Sequence, residues 1–364
     1  MVAHFLLIIE FILVFKPLLI MRFKYIILPV ALKLSANCYL LTMDVSLELK
    51  NNLGDGLLIN EPLANHTNFK IGGPAKYFFM ARTADEVIKV HQVAMELKIP
   101  VIILGGGTNV IVNDQGFNGL VIKVKNEDYK IDGTKVVADA GVNLAFLVQK
   151  TVAASLSGFE PLVGVPGSVG GAIYGNAGQP QANKGFIGDW VKEVVIFRDD
   201  KLIHISRDDC QFSYRDSLFK HNNDVILSAA FELEPGDKAA SQELVKIYMA
   251  ARQNQPYHLP SSGCIFTNVP ITNADEIRQK FAGEEKLEQF ISRGLLPASW
   301  LIDRAGLKGK TIGGIKISDN HANYLVNTGT GRAEDVITMI SYIKQQVRDK
   351  YGIQLREEVR YLGF

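Results

Sequence analysis

Two glycine-rich segments, Gly105-Gly106-Gly107-Thr108-Asn109 and Val165-Pro166-Gly167-Ser168-Val169-Gly170-Gly171, stand about sixty residues apart where short apolar, strand-like runs meet turns. Glycine reaches positive φ and lets a backbone approach a ligand closely, and the amides so exposed can hydrogen-bond phosphate oxygens. The first segment follows Val101-Ile102-Ile103-Leu104 and precedes Val110-Ile111-Val112, which predicts a turn between two buried strands. A dinucleotide fingerprint would open a helix with G-x-G-x-x-G, and a P-loop would end in Gly-Lys-Ser/Thr; the segment has neither pattern. Three glycines alone are also what a plain tight turn requires. The second segment runs on through Asn176 to Gly178 with five glycines in fourteen residues, more than a turn needs. Together the two predict one binding site for a bulky phosphorylated cofactor.

At 364 residues and 47% apolar content the chain is long enough for two or three domains with sizeable cores. Its 39 basic and 38 acidic side chains create no overall field for nucleic acid, so a nucleic-acid partner is not expected. Cys38, Cys210 and Cys264 are odd in number and lack C-x-x-C spacing, which argues against a disulfide framework or a zinc site and fits a reducing cytoplasm. Residues 5–34 are strongly apolar, yet Glu10, Lys16, Pro17, Arg22 and Lys24 break them into runs shorter than the roughly 18 residues that span a bilayer. The basic residues follow the first apolar runs, the reverse of a signal peptide. Residues 1–42 are therefore read as an extension outside the fold, with translation starting at Met43; a membrane anchor is the second reading.

Beyond Met43 helices and strands mix without strict alternation, which predicts an α+β fold. Thr83-Ala84-Asp85-Glu86 is a capping box before Val87, Val90, Val93, Ala94 and Leu97 at helical spacing. Helices are further expected over 143–157, 239–253 and 334–351, and strands over 120–124, 135–138, 191–197, 202–205, 225–233 and 357–362. Arg198-Asp199-Asp200 reads as a hairpin turn, Pro235-Gly236-Asp237 as a domain boundary, and the charged stretch 271–293 as helical with a solvated face.

Three polar sites invite chemistry. In Tyr214-Arg215-Asp216-Ser217 the planar guanidinium suits carboxylate or phosphate, although a surface ion pair with Asp216 explains it equally well. Ser262-Gly263-Cys264 puts a thiol after a glycine in a polar loop. A lone cysteine is usually a small buried hydrophobe, but a thiol also donates a proton far more readily than an alcohol. A cysteine hydrolase would need a histidine such as His258 and a nucleophile elbow, which is missing. Glu357 and Glu358 lie beside the last strand, where alternation sends them to opposite faces.

These segments in this order resemble the UDP-N-acetylenolpyruvoylglucosamine reductase family, MurB, the flavoenzymes of peptidoglycan precursor synthesis. The resemblance runs from about Asn65 to Gly363 and includes Asn65-His66-Thr67, Ile71-Gly72-Gly73-Pro74-Ala75, both glycine segments, Tyr214 to Ser217, Ser262 to Phe266, Trp300 to Asp303, Ile312-Gly313-Gly314 and Glu358-Val359-Arg360. It implies three domains. Two, over 43–118 with the terminal strand 352–364 and over 119–235, would hold FAD in the fold of the vanillyl-alcohol oxidase group. The third, over 236–351, would bind substrate.

The resemblance also implies that NADPH reduces FAD, which reduces UDP-N-acetylglucosamine enolpyruvate to UDP-N-acetylmuramate for the cell wall. Gly105, Gly106, Gly107, Thr108, Asn109, Pro166, Gly167, Ser168, Gly170, Gly171 and Asn176 would line the FAD site, and Tyr214, Ser262, Gly263 and Asn268 the substrate site. Arg215 would steady the enolate, Cys264 donate the proton and Glu358 assist; no metal is called for. Many members carry serine where this chain has Cys264. The 49 positions from Arg215 to Cys264 are too few for the loop that supplies a capping tyrosine in one branch, so the chain resembles the other branch. Lys308 and His321 are candidates for the nucleotide half of the substrate. The rival expectations are another FAD oxidoreductase of the same fold and a membrane-anchored binding protein.

Overall fold

The computed structural model describes residues 45–180 and 184–364; the apolar extension 1–42, with Cys38 and Met43, lies outside the described residues. Residues 45–53 form a helix, and Gly56 to Phe364 form one compact unit. The fold is α+β, with three main sheets. The first has order β1-β2-β5-β3, with β1 Leu57–Pro62, β2 Pro74–Ala81, β3 Val101–Leu104 and β5 Phe117–Val124. β5 runs parallel to both β2 and β3, and helix α1, Ala84–Glu96, makes the crossover from β2 to β3. Thr83 accepts a hydrogen bond from the Glu86 amide and Glu86 reaches back to the Arg82 amide, so the sequence box caps the helix as expected.

The second sheet is antiparallel, in the order Lys201–Ser206 (β9), Val191–Arg198 (β8), Val225–Glu232 (β10), Lys135–Asp139 (β7) and Tyr129–Asp132 (β6). Asp199 and Asp200, at φ 49° and 58°, form the expected hairpin turn between β8 and β9. Helix α2, Leu144–Ala153, is capped by Asn143 and ends before the predicted boundary, because Ser155 turns left-handed at φ 59°. The second glycine segment differs from expectation. Val169–Gly175 is a short helix, α3, begun by the Ser168 hydroxyl, which accepts from the Gly171 amide.

The C-terminal part pairs Ser261–Cys264 (β11), Tyr324–Asn327 (β14), Ile315–Ile317 (β13) and Thr311–Ile312 (β12) in that order. The 239–253 helix is observed as α4, Lys238–Ala250. The charged stretch 271–293 is two short helices, α5 Ala274–Lys280 and α6 Leu287–Ser292, broken at Gly283 with φ 87°. After α7, Ala298–Arg304, comes the long α8, Ala333–Tyr351, whose Val336, Met339, Ile340, Ile343 and Val347 recur on one face and are all buried. They join Phe266, Leu301, Ile302, Ile315, Ile317 and Leu325 in one core. Gly352, at φ 67°, ends α8 and returns the chain to the first sheet region. There Arg360–Leu362 (β15) pairs in parallel with Val110–Val112 (β4). The regular strand begins at Arg360, so Glu357 and Glu358 precede it. The apolar face of α8 should dominate the stability of this part: Ile343→Ala should cost about 2–5 kcal/mol, read as a lower urea midpoint by circular dichroism.

Candidate active site

The first glycine segment leaves the carboxyl end of β3 and enters β4, as the sequence pattern predicts. It meets the second segment without an intervening side chain. A Cβ on Gly106 would lie 2.7 Å from the Gly167 Cα, and a Cβ on Gly105 2.7 Å from the Ser168 Oγ. Gly107, at φ 70°, has the His66 carbonyl where its Cβ would be. The Thr108 hydroxyl bridges the two turns by donating to the Pro166 carbonyl at 3.2 Å, while the Leu144 amide anchors the Gly167 carbonyl and the Asn68 amide the Gly107 carbonyl. Both turns border a single cavity of about 1810 Å³.

At one end of this cavity three distant stretches converge. Arg215 sits in a left-handed turn, φ 57°, at a cost on the order of 1 kcal/mol. Its Nη2 donates to the Gly178 carbonyl at 3.0 Å, its guanidinium lies 5.8 Å from the Phe186 ring centre, and Lys220 Nζ donates to its backbone carbonyl at 2.6 Å. Arg215 Nε is 3.2 Å from Glu358 Oε1. That pair is close enough for Coulomb attraction but not aligned as a hydrogen bond, and the buried Nε is without a hydrogen-bond partner. Burial holds the Glu358 carboxyl above its ordinary range, with Arg215 and Lys220 pulling the other way. Cys264, beside Gly263 at φ 78°, is pushed up to about 12 by burial and by the Glu358 charge, so its thiol is neutral across the physiological range.

Tyr214, Ser262, Gly263 and Asn268 share the same wall, with the Tyr214 hydroxyl accepting from the Asn268 amide at 3.3 Å. Asn176 differs from the other expected cofactor residues. It is buried behind the wall, donating to the Ser213 carbonyl and accepting from the Gly188 amide, and so holds the Arg215 turn against α3. Glu357 points away to Lys344 and Tyr361, so only Glu358 reaches the cavity. His321 reaches the wall with its buried Nδ1 unpartnered, whereas Lys308 pairs with Asp303 on the surface. Nothing in the sequence pattern marks Lys220, or Tyr324 beside Cys264; only the spacing of Lys220 five residues after Arg215 hints at a shared turn.

The residues present fit a flavin nucleotide. The glycine turns border the cavity with closely packed backbone, where a Cβ on Gly105, Gly106 or Gly107 would run into Ser168, Gly167 or His66, and Arg215 Nε and Ser262 Oγ are buried polar atoms without a protein partner. Residues 75–206 match the family model described as FAD binding domain, which puts the chain in the class of proteins with an FAD-binding fold. Residues 255–362 match the model of the UDP-N-acetylenolpyruvoylglucosamine reductase C-terminal domain. The chain is 33% identical to the UDP-N-acetylenolpyruvoylglucosamine reductase of Caldanaerobacter subterraneus subsp. tengcongensis, over 87% of this chain and 97% of that one. It is 35% identical to that of Bacillus subtilis over the same shares. The Thermus caldophilus reductase (MurB) crystal structure superposes with a TM-score of 0.66 at 27% identity, covering 84% of this chain and 98% of that one. The chain belongs to the UDP-N-acetylenolpyruvoylglucosamine reductase family.

The close approach of the two turns makes a sharp prediction. Gly106→Ala should wedge them apart at a cost of about 1–3 kcal/mol, seen as weaker FAD binding in an equilibrium titration of the folded variant. Wild-type affinity would show that the contact does not shape the cofactor site.

Proposed function

We propose that this protein reduces UDP-N-acetylglucosamine enolpyruvate to UDP-N-acetylmuramate with NADPH as reductant, a step of peptidoglycan precursor synthesis. The observation that carries the reading is the convergence of Arg215, Cys264 and Glu358 at one end of the cavity bordered by both glycine turns, in a chain of this family. FAD, when bound, supplies the hydride chemistry between nicotinamide and substrate. The two glycine turns would hold its phosphates through backbone amides, and Asn176 would act indirectly by fixing the Arg215 turn.

Addition of hydride to the enol ether moves negative charge onto the substrate carboxylate, and a fixed guanidinium stabilises that charge more in the transition state than in the ground state. Arg215 is held for this by the Gly178 carbonyl, the Phe186 ring and Glu358, so little reorganisation is needed. Glu358, whose carboxyl burial shifts upward while Arg215 and Lys220 pull the other way, would assist beside Arg215. The neutral Cys264 thiol would deliver the proton to the α-carbon and recover it from solvent, leaving a saturated lactyl ether. Tyr214, Asn268, Ser262 and Gly263 would orient the substrate, with His321 favoured over Lys308 for its nucleotide half because it alone of the two faces the cavity.

In domain terms, 43–118 with 352–364 and 119–235 would carry the cofactor and 236–351 the substrate. The parallel pairing of β15 with β4 supports grouping the terminal strand with the first part. We assign the activity to the cytoplasm, where the two described cysteines, both free thiols, would stay reduced. Among the described residues no helix is long and apolar enough to cross a membrane.

A yellow purified protein should oxidise NADPH only when the enolpyruvyl sugar nucleotide is present; oxidation driven by oxygen alone would overturn the reading. Cys264→Ala should keep flavin reduction by NADPH while flavin reoxidation by substrate slows by about 10²–10⁴-fold, measured by stopped-flow absorbance. Unimpaired turnover would remove Cys264 from the mechanism. Because the donor must be protonated and titrates only near 12, wild-type kcat should show no loss from thiol ionisation between pH 7 and 9.

A further inference from the structure

Lys123 is 6% exposed at the carboxyl end of β5, where a charged side chain needs a reason to be buried. Its Nζ donates to the His66 carbonyl at 3.3 Å, and among the described residues no carboxylate pairs with it. The charged groups around it make matters worse. Lys125, just past the end of β5, and Lys70, after the 3-10 turn Leu63–His66, both repel it. The nearby acids are committed, Glu61 to the His66 ring at 2.9 Å and Glu127 to Lys125 at 2.7 Å. Its neighbours across the sheet, Met80 on β2 and Leu104 on β3, carry no charge. Burial, Lys125 and Lys70 together hold the Lys123 ammonium down to about 8. A dehydrated cation without an anion destabilises a fold.

The position supplies the reason. Leu104, beside Lys123 in the sheet, leads directly into Gly105. The His66 carbonyl that Nζ holds is the atom that fills the Cβ position of Gly107, at 2.2 Å. Lys123 therefore sits behind the first glycine turn, outside the cavity wall, at the carboxyl ends of two parallel strands, where anionic ligands bind such sheets.

We propose that Lys123 is the buried counter-charge of the cofactor diphosphate, acting through the Gly105–Asn109 turn from behind it, so that cofactor binding is coupled to a proton. The inference rests on the FAD reading above. Without the anion, the folded chain releases the Lys123 proton near pH 8 whereas the unfolded chain keeps it to the ordinary lysine range. The stability of the flavin-free protein due to this residue therefore rises with pH across that window. A diphosphate on the cavity side of the turn favours the charged form and raises the lysine pKa. Above pH 8 FAD binding then takes up a proton, and affinity falls as pH rises. A lysine that merely braced the His66 carbonyl would behave differently, because its removal would destabilise the flavin-free fold.

The test uses the full chain stripped of flavin, as wild type, Lys123→Met and Lys123→Arg, with FAD and riboflavin as probes. Riboflavin carries the ring system but no phosphate. Lys123→Met should weaken FAD binding about tenfold or more at pH 7, lose the decline in affinity above pH 8, leave riboflavin binding unchanged, and melt at the same or a higher temperature without flavin. Lys123→Arg should restore FAD affinity without its pH dependence. Unchanged FAD affinity in Lys123→Met, or equal losses for FAD and riboflavin with a lower melting temperature, would overturn the counter-charge. If wild type binds riboflavin and FAD equally weakly, the FAD reading falls with it.

Discussion

The rest of the structure depends on a backbone contact in which no side chain takes part, Gly106 against Gly167. Strand β3 and the loop before α3 could not come this close with a Cβ at Gly106, which would lie 2.7 Å from the Gly167 Cα. The Thr108 hydrogen bond to Pro166 then joins the two turns. Their approach makes one cavity wall out of two halves of the chain, and it leaves peptide amides rather than side chains facing a ligand. A phosphate-bearing cofactor is the natural occupant of such a surface, since backbone donors need no side-chain ordering to bind it.

The reactive end rests on a second contact that closes the chain on itself. Helix α8 buries its apolar face in the C-terminal core, Gly352 turns the chain back, and β15 adds to β4 directly after the first glycine turn. The Asn109 side chain donates to the Glu358 carbonyl and the Arg360 amide to the Asn109 carbonyl, so the turn that borders the cavity also sets the height of Glu358. Glu358 faces Arg215 in a poorly solvated place, where the pair neutralises charge while burial keeps the carboxyl easily protonated. Such pairs contribute little to stability, which fits a role in chemistry.

Much of this was legible in the chain. The strands around Gly105 to Asn109, the capped helix after Thr83 and the apolar stripe of α8 follow from local period and capping chemistry, which a linear pattern records. The motif set also pointed to Arg215, Cys264 and Glu358. Three features were misread or invisible. The helix in the second glycine segment was not foreseen, because glycine weakens helix propensity; Val169–Gly175 is helical because Ser168 caps it and Val169, Gly170, Ala172 and Ile173 are buried. Asn176, expected at the cofactor site, has its side chain bridging Ser213 and Gly188, which the sequence did not reveal. Nothing in the sequence singled out Lys123, whose burial depends on residues distant in the chain such as His66, the carbonyl of which its Nζ reaches.

The sequence by itself determined the period of each element, the places where only glycine would serve and the family to which the chain belongs. These depend on residues near one another or on ordered motifs. Only the tertiary structure decided that Glu358 and not Glu357 faces the cavity, that Arg215 is held left-handed by Lys220 and Gly178, and that Lys123 is a buried cation. Each of those outcomes is set by the packing of groups from separate segments and by the water they exclude. Charge, burial and proton affinity are properties of surroundings, and surroundings exist only once the chain has folded.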